Sequence, residues 1–267
     1  MKKMSKVLAL VIALVMALTM IVACGGKSGV EKIKEAGKLT MLTNAAFAPY
    51  EYLGENDEIS GVDVEIAKAI AEELGVELEI INMDFDGIIS AVQTGKGDLG
   101  IAGITANEER AKSVAFSINY VDTAQYLIVS EANAAELEGK TDAELIEWLA
   151  GKNIGVQSGT TGHFFVEDST DATAVIYKTA PDAAIELANG KLDGVVIDEM
   201  PAQQLVTANE GLVVMETPLT TEQYAIAIAK ENEDLKEVVD SVLEKLIAEG
   251  KIEAWIEFHK EASAGIE

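Results

Sequence analysis

The chain has 267 residues, enough for about two domains, and 49% of them are hydrophobic, so a largely disordered chain is excluded. Twenty basic against 46 acidic residues give a formal charge of −26, and no basic patch is concentrated anywhere, so nucleic-acid binding is not expected. A single cysteine, Cys24, excludes an internal disulfide and cysteine-rich metal centres, and two histidines leave little basis for metal chemistry. We expect no metal and no cofactor.

The first residues, 1–23, have the pattern of a secretory signal: three lysines precede an apolar run from Val7 to Ala23. A transmembrane anchor is the alternative, since this run is at the short limit of the roughly 17–25 residues that span a bilayer. Its end, Ile21-Val22-Ala23-Cys24, resembles the lipobox of bacterial lipoproteins, which implies cleavage before Cys24 and lipidation of that cysteine. Residues 24–36 then predict a flexible tether between the membrane and a globular domain.

Strands and helices alternate through the rest of the chain. Apolar runs predict strands at Leu39–Thr43, Glu77–Ile81, Asp98–Ala102, Asn153–Gln157, Val175–Tyr177 and Gly194–Ile197. Helices are predicted with caps at Asp63, Asp86 and Thr141, with a proline in the first turn at Pro181–Ala188 and Pro201–Ala208, and with an apolar face over Leu235–Ile247. This alternation is typical of an α/β protein with mainly parallel sheets.

A weak internal repeat relates two parts of the sequence. QTGKGDLGIAG and LANGKLDGVVID share Gly-Lys-x-Asp before an apolar strand, and an offset of 95 positions, from Gly95 to Gly190, also aligns Gly103 with Asp198. Chance is the alternative, because helix–turn–strand units often share such positions. If the repeat is real, Gly103 and Asp198 leave equivalent strands at their carboxyl ends, where open α/β sheets bind ligands.

One segment, Gly103 to Arg110 (GITANEER), carries the richest set of candidate site residues. Arg110 is the only arginine among the 20 basic residues, and a guanidinium can hold a carboxylate through two parallel hydrogen bonds. Thr105 adds a hydroxyl, and Asn107 can cap the short helix that carries Arg110. The alternative is a solvated arginine that pairs with a neighbouring acid.

Three other features could contribute to a site. The segment from Gln157 to Gly162 (QSGTTG), which includes Thr160 and Thr161, can form an anion-binding nest or an ordinary strand–helix turn. Asp198 can hold an ammonium group at a strand end or simply cap the following helix. Phe47 and Phe85 can sandwich a ligand side chain or pack in the core.

Five segments occur in one order: MLTNAAFAPYEY, GVDVEIAKAIAEELGV, MDFDGIISAVQTGKGDLGIAGITANEERAKSVAFS, IGVQSGTTG and VVIDEMPA. In this order and spacing they resemble the extracytoplasmic amino-acid-binding proteins of ABC importers, the family 3 bacterial solute-binding proteins. The resemblance runs from about Leu39 to Phe258. It implies the two-lobed α/β fold of type II periplasmic binding proteins, with the ligand trapped in the cleft between the lobes.

The resemblance also implies how the chain is divided. Two strands would cross between the lobes near Tyr120–Tyr126 and Leu219–Ala225. Lobe 1 would combine residues 37–122 with 223–262, and lobe 2 would comprise residues 123–222. The protein would be a monomer on the outer face of the cell membrane that captures an amino acid and delivers it to an ABC permease.

Carried over to matching positions, the resemblance implies that Arg110, Thr105 and the Thr161 backbone hold the α-carboxylate of the ligand. The Gly103 carbonyl and Asp198 would hold its α-ammonium group. Phe47 and Phe85 would flank its side chain, and Thr160 would belong to the same site.

The side chain of the ligand is predicted from two observations. Relatives that bind cationic side chains usually have an acid where this chain has Asn44, and no lysine or second arginine stands in these motifs to meet a side-chain carboxylate. We therefore hypothesise an uncharged ligand, such as glutamine, in contact with Asn44 and Gln157.

Two other classes of protein share this resemblance. Some proteins of this fold are periplasmic dehydratases that use a cleft acid as general acid, and Glu199 would be the candidate here. Because Arg110 and Asp198 suit an amino-acid zwitterion better than a cyclic dicarboxylate, an enzyme is not expected. A receptor sensor would need a membrane span and a signalling domain after the binding domain, and the sequence to Glu267 contains neither.

Overall fold

The computed structural model describes residues 27–54 and 57–264. The predicted signal and Cys24 lie outside these residues. The described chain folds into two α/β lobes, each built around a five-stranded sheet, so the predicted fold class is confirmed. Within the described ranges, no helix has both the length and the apolar character needed to cross a bilayer.

The sheet of the first lobe has the strand order β5-β1-β6-β15-β7. Strand β1 (Lys38–Thr43) runs parallel to β5 (Glu77–Asn82) on one side and to β6 (Leu99–Gly100) on the other. Strand β15 (Ala227–Ile228) returns late in the chain and lies antiparallel between β6 and β7 (Ala115–Phe116). The first lobe is therefore built from two separate stretches of sequence.

Helices cover both faces of this sheet. They are α1 (Gly29–Ala36), α2 (Val62–Leu74), α3 (Ile88–Gln93), α4 (Glu108–Ala111), α10 (Glu233–Ala248) and α11 (Lys251–Ala262). Helix α2 packs against α10 and α11 on one side, and α3 packs on the opposite face against β1, β6 and β15. A small antiparallel sheet of β2 (Ala46–Phe47), β3 (Glu51–Leu53) and β4 (Ile59–Ser60) lies between β1 and α2 in the chain.

The sheet of the second lobe has the order β11-β10-β12-β9-β13. Strand β10 (Asn153–Gln157) is parallel to β11 (Thr173–Tyr177) and β12 (Gly194–Asp198), whereas β9 (Gln125–Ser130) is antiparallel to β12 and to β13 (Leu212–Val214). Its helices are α5 (Glu131–Leu137), α6 (Asp142–Leu149), α7 (Thr161–Ser169), α8 (Ala180–Ala188) and α9 (Glu199–Ala208).

A two-stranded ribbon joins the lobes. Strand β8 (Val121–Thr123) pairs antiparallel with β14 (Glu222–Tyr224), and both lie where the sequence predicts the crossings. The strands of the first sheet precede β8 or follow β14, and those of the second lie between them. The exact lobe boundaries at 122/123 and 222/223 remain a prediction.

The internal repeat has a structural counterpart. Gly95 and Gly190 have nearly the same left-handed conformation, with φ of 70° and 71°, and each follows a helix. Asp98 and Asp193 each accept a hydrogen bond, at 2.8 Å, from a backbone N–H of the neighbouring strand. The two lobes therefore use the same turn to place β6 and β12.

The prediction of a flexible tether over residues 24–36 is wrong for its second part, because Gly29–Ala36 form helix α1. The Ser28 hydroxyl and Glu31 form a reciprocal capping box. The Asp234 carboxylate also accepts the Gly29 and Val30 N–H groups at 3.2 and 2.8 Å, which fastens α1 to α10.

Two of the predicted helix caps are wrong, and one is confirmed. Helix α2 begins after Gly61, so Asp63 lies inside its first turn and points into the core. Asp86 lies in a short 3₁₀ turn, Phe85–Gly87, and accepts a hydrogen bond from Ser158 instead of capping α3. Thr141 forms the predicted capping box at α6.

Gly61 permits the close approach of two chain segments before α2. It has φ of 138°, and a Cβ atom there would lie 2.0 Å from the Tyr50 carbonyl oxygen. The first amides of α2, on Val62 and Asp63, donate to the Pro49 and Tyr50 carbonyls at 3.1 and 3.0 Å. The start of the helix is therefore docked against the segment that carries Tyr50 and β3.

We expect Gly61→Ala to destabilise the protein by about 3 kcal/mol or more, because the methyl group would push against backbone rather than a movable side chain. Gly37→Ala is the matched control: φ is 71° there, but a Cβ would meet nothing within 4 Å. That control should cost only about 1 kcal/mol. Urea unfolding of both variants measures the difference, and equal losses would contradict the steric explanation.

Candidate functional site

All ten residues that the sequence predicts for ligand binding line a single pocket between the lobes. They are Asn44, Phe47, Phe85, Gly103, Thr105 and Arg110 from the first lobe, and Gln157, Thr160, Thr161 and Asp198 from the second. Glu51 and Ala102 complete the lining. The structure thus brings together residues that are up to 154 positions apart in the chain, from Asn44 to Asp198.

Arg110 follows strand β6 in the chain, and its side chain is hydrogen-bonded both to its own segment and to the second lobe. Asn107 caps α4 by accepting the Arg110 N–H at 2.8 Å, which confirms the predicted cap. The guanidinium donates to the Thr105 carbonyl at 2.7 Å and to the Gly159 carbonyl at 3.1 Å. Within the described ranges no carboxylate lies within 4.0 Å of it, so the guanidinium lines the pocket without a direct ion pair to the protein.

Burial lowers the pKa of Arg110, and the charges of Glu222 and Asp198 oppose this shift. The group still stays charged, because a guanidinium titrates far above neutral pH. Its remaining N–H donors suit a carboxylate approached in the guanidinium plane.

Asp198 supplies the opposite charge from the end of β12. It is 6% exposed and accepts a hydrogen bond from the Tyr224 hydroxyl at 2.7 Å. Burial, with a contribution from Glu222, raises the pKa of Asp198 to about 7. Although Asp198 stands at the N-cap position of α9, its side chain makes no capping hydrogen bond. The carboxylate is therefore poorly compensated by the protein and suited to a cation.

The two phenylalanines have different surroundings. Phe47 is 7% exposed and stacks on Tyr50, with ring centroids 6.0 Å apart. A Cβ on Gly103 would lie 2.5 Å from the Phe47 ring, so only glycine allows this ring to lie against the chain there. Phe85 lies under the Arg110 guanidinium, whose Cζ atom is 5.4 Å from the ring centroid. This cation–π contact orients the arginine as well as lining the pocket.

Asn44 and Gln157 contact each other across the cleft. The Gln157 amide donates to Asn44 Oδ1 at 2.9 Å and to the Lys178 carbonyl at 3.0 Å. The Asn44 amide donates to the Met83 carbonyl at 2.8 Å. Since both polar ends of Asn44 are bound to protein, the pair joins the lobes more directly than it offers groups to a ligand.

The two threonine hydroxyls predicted near the ligand carboxylate are bound to an acid outside the predicted set. Thr105 Oγ1 and Thr161 Oγ1 donate to the same oxygen, Oε2 of Glu222, at 2.6 and 2.7 Å. Thr160 caps α7 through the His163 N–H at 3.1 Å. Glu222 lies on β14, one of the two strands that cross between the lobes. Its place on a predicted crossing strand is the feature of the sequence that could have indicated a side chain near the cleft.

Glu51 is the second acid that sequence reasoning missed. It lines the pocket and is fully buried, and no N–H or hydroxyl group of the described residues donates to its carboxyl oxygens. Its own protonated carboxyl group donates a hydrogen bond to Asp63. Burial and the adjacent Asp63 raise the pKa of Glu51 well above its usual range. Alternation would place Glu51 on the exposed side of a strand between two buried tyrosines, so nothing in the pattern marks it.

Asp63 positions the pocket from behind. Its oxygens accept the Gly103 N–H and the Tyr120 hydroxyl, both at 2.8 Å, and it is fully buried. Burial raises its pKa to about 6, although these two hydrogen bonds and a third from Glu51 lower it. Asp63 therefore holds Gly103 and the hinge-side Tyr120 together.

The rim of the cleft is also bridged. Ser158 Oγ donates to Asp86 at 2.8 Å, and Lys178 pairs with Asp84 at 2.6 Å, each contact joining one lobe to the other. The pocket is therefore enclosed between lobes that are in contact.

Residues 39–259 match the family described as bacterial extracellular solute-binding proteins, family 3. The chain belongs to this family. The site lies wholly within the matched residues.

The similar proteins within this family are named as amino-acid-binding proteins. The arginine-binding extracellular protein ArtP of Bacillus subtilis is 31% identical over 242 residues, covering 87% of this chain and 89% of that protein. An amino-acid ABC transporter substrate-binding protein of Streptococcus pneumoniae bound to L-arginine is 34% identical, with a TM-score of 0.82 and coverage of 88% and 99%. A mutant of arginine-bound ArgBP from T. maritima is 41% identical, with a TM-score of 0.76 and coverage of 81% and 99%.

The raised pKa of Asp198 predicts how the ligand-free protein responds to pH. Since its folded pKa is above its unfolded value, Asp198 favours folding below about pH 4 and loses that advantage as pH rises through about 7. Asp198→Asn should therefore raise the melting temperature at pH 8, by about 2–4 °C per kcal/mol relieved, and change it little at pH 4.

Asp122→Asn on the exposed hinge ribbon is the matched control and should change the melting temperature little at either pH. Calorimetric scans at the two pH values check the expectation. A stabilisation by Asp198→Asn that is equal at pH 4 and pH 8 would contradict the role of its charge.

Proposed function

We propose that this protein captures a free α-amino acid in the pocket between its lobes. The observation that carries the proposal is the pair of oppositely charged groups in one enclosed space, Arg110 from the first lobe and Asp198 from the second, which form no ion pair with each other. Arg110 would bind the α-carboxylate and Asp198, with the Gly103 carbonyl, the α-ammonium group. Because each lobe supplies one charge, a zwitterion stabilises the closed arrangement.

The N-terminus of α7 would complete the carboxylate site. The Thr161 backbone N–H is at the first turn of this helix, where the helix dipole favours an anion. The Thr105 and Thr161 hydroxyls donate to Glu222, so the backbone of these residues and Arg110 would make the direct contacts.

The charges in the pocket support a cationic side chain on the ligand, and we propose arginine. With Arg110 assigned to the carboxylate and Asp198 to the ammonium group, Glu51 is the remaining acid among the described residues that line the pocket, and its ionisation would place a negative charge there. A guanidinium would balance this charge and satisfy its oxygens. The names of the similar proteins from B. subtilis, S. pneumoniae and T. maritima support the same ligand.

This proposal replaces the uncharged ligand that the sequence favours. The earlier inference depended on Asn44, which stands where a cation-binding acid is expected. In the structure Asn44 is bound to Gln157 and Met83, while Glu51 brings the acid into the pocket from a different position. Glutamine stays the competing ligand for the binding test.

The amino acid would be delivered to the permease of an ABC importer, as the name of the S. pneumoniae protein supports. We further propose a monomer secreted by the signal at residues 1–23 and anchored to the outer face of the membrane through lipid on Cys24. The family description supports the extracellular location, and the lipobox supports the anchor.

The dehydratase alternative depends on a general acid in the cleft. Glu199, its candidate, lies at the start of α9, where it accepts a hydrogen bond from Gln203 at 3.5 Å. It is absent from the residues that line the pocket in the described chain. The geometry therefore favours binding without turnover.

We expect Arg110→Lys to weaken amino-acid binding by about 10- to 100-fold, because an ammonium group cannot make two parallel hydrogen bonds to a carboxylate. Titration calorimetry with L-arginine measures the loss. Lys112→Ala, which removes an exposed lysine two positions away, should leave the dissociation constant unchanged. An unchanged constant in Arg110→Lys would refute the carboxylate clamp.

Selectivity tests the identity of the ligand side chain. Calorimetry against the twenty amino acids and citrulline, the uncharged isostere of arginine, should show arginine bound at least about 100-fold more tightly than citrulline. Glu51→Gln should reduce this ratio to about tenfold or less, since the buried acid is the selective group.

Glu58→Gln, on the exposed part of the same hairpin, is the matched control and should keep the ratio. Tight binding of glutamine without any binding of arginine would refute the cationic ligand and favour the uncharged one.

A further inference from the structure

Glu222 connects three parts of the molecule through one carboxylate. It lies on β14, one of the two strands that cross between the lobes. Its Oε1 accepts a hydrogen bond from Thr220 at 3.0 Å within the same crossing segment. Its Oε2 accepts from Thr105 of the first lobe at 2.6 Å and from Thr161 of the second at 2.7 Å.

This arrangement depends on the relative position of the lobes. Thr105 is fastened beside β14, because the Ala106 N–H donates to the Gln223 carbonyl at 3.2 Å and Thr105 bridges to Tyr224. Thr161, in contrast, is the first residue of α7 and moves with the second lobe. Opening the cleft would separate Thr105 from Thr161, so Glu222 could not keep both contacts.

The geometry favours a latch, by which we mean a contact that holds the lobes closed, over an ordinary surface contact. The two hydrogen bonds to Oε2 are short and charge-assisted, which makes them stronger than neutral ones. Glu222 is half-buried behind the pocket, outside the residues that line it, so it can act without touching the ligand. Its negative charge is also near enough to favour the charged form of Arg110.

We infer that Glu222 is a positioning residue that holds the closed state by bridging Thr105 and Thr161 across the hinge. The inference rests on the proposed function for its ligand, but the bridge itself acts in the ligand-free protein. It would bias the empty lobes toward closure and slow the escape of a bound amino acid. It would not change the rate at which ligand enters the open state.

The test compares Glu222→Ala, Glu222→Gln and Asp122→Asn with the unmodified protein. Small-angle X-ray scattering without ligand should give a larger radius of gyration for Glu222→Ala, an intermediate value for Glu222→Gln and no change for Asp122→Asn. Asp122 is the matched control because it is an exposed acid on the same ribbon, bonded to Gln223 and not to a threonine.

Stopped-flow measurements with L-arginine separate the two rate constants. Glu222→Ala should raise the dissociation rate constant about tenfold and leave the association rate constant within about twofold. Thr161→Val should raise the dissociation rate constant similarly, and the double variant should add little, because both changes remove the same bridge.

The outcomes distinguish the two proposals. If the unmodified protein binds no arginine but Glu222→Ala still enlarges the ligand-free protein, the latch stands and the proposed ligand fails. If both Glu222 variants match Asp122→Asn in radius of gyration, the latch is refuted. Melting temperatures show whether Glu222→Ala is folded, and Glu222→Gln decides the question if it is not.

Discussion

The burial of negative charge at the interface between the lobes is the constraint on which the site depends. Glu51, Asp63 and Asp198 are all buried there, and Arg110 is the one basic side chain that lines the described pocket. Buried carboxylates are costly when ionised and unpaired. The protein offsets part of this cost with tyrosine hydroxyls and a backbone N–H, and it leaves the remainder for a cation from outside. The proposal of a positively charged ligand side chain rests on this incomplete compensation.

Much of the fold could be predicted because its signals are local. Apolar strands, the capping box at Thr141, the prolines that open α8 and α9, and the recurring Gly-Lys-x-Asp turn all depend on short stretches of sequence. The errors come from tertiary contacts that override such signals. Aspartate is a common N-cap residue, yet helix α2 begins after Gly61, so Asp63 lies in the first turn. Its side chain points inward and accepts hydrogen bonds from Gly103 and Tyr120. Helix α1 forms in the predicted tether because the distant Asp234 receives its first amides.

The predicted site residues share one pocket because they follow strand ends, and strand ends converge at one edge of each sheet. What sequence could not supply was the pairing of polar groups inside that pocket. An asparagine that was expected to discriminate against cations is hydrogen-bonded to its neighbours, and an acid four residues beyond Phe47 lines the pocket instead. Residue type at a matching position therefore does not reveal which polar groups of the pocket are already bound to protein.

The contacts at the rim of the cleft have a consequence for transport. The Lys178–Asp84 pair is largely exposed, and exposed ion pairs of this kind contribute roughly 0–1 kcal/mol. Rim contacts this weak add little to the stability of the closed state, whereas a bound zwitterion ties both lobes together from inside. A filled pocket would then shift the lobes further toward the closed shape than the Glu222 bridge does alone. A permease that recognises the closed outline would engage loaded carriers in preference to empty ones, without ever contacting the amino acid before its release.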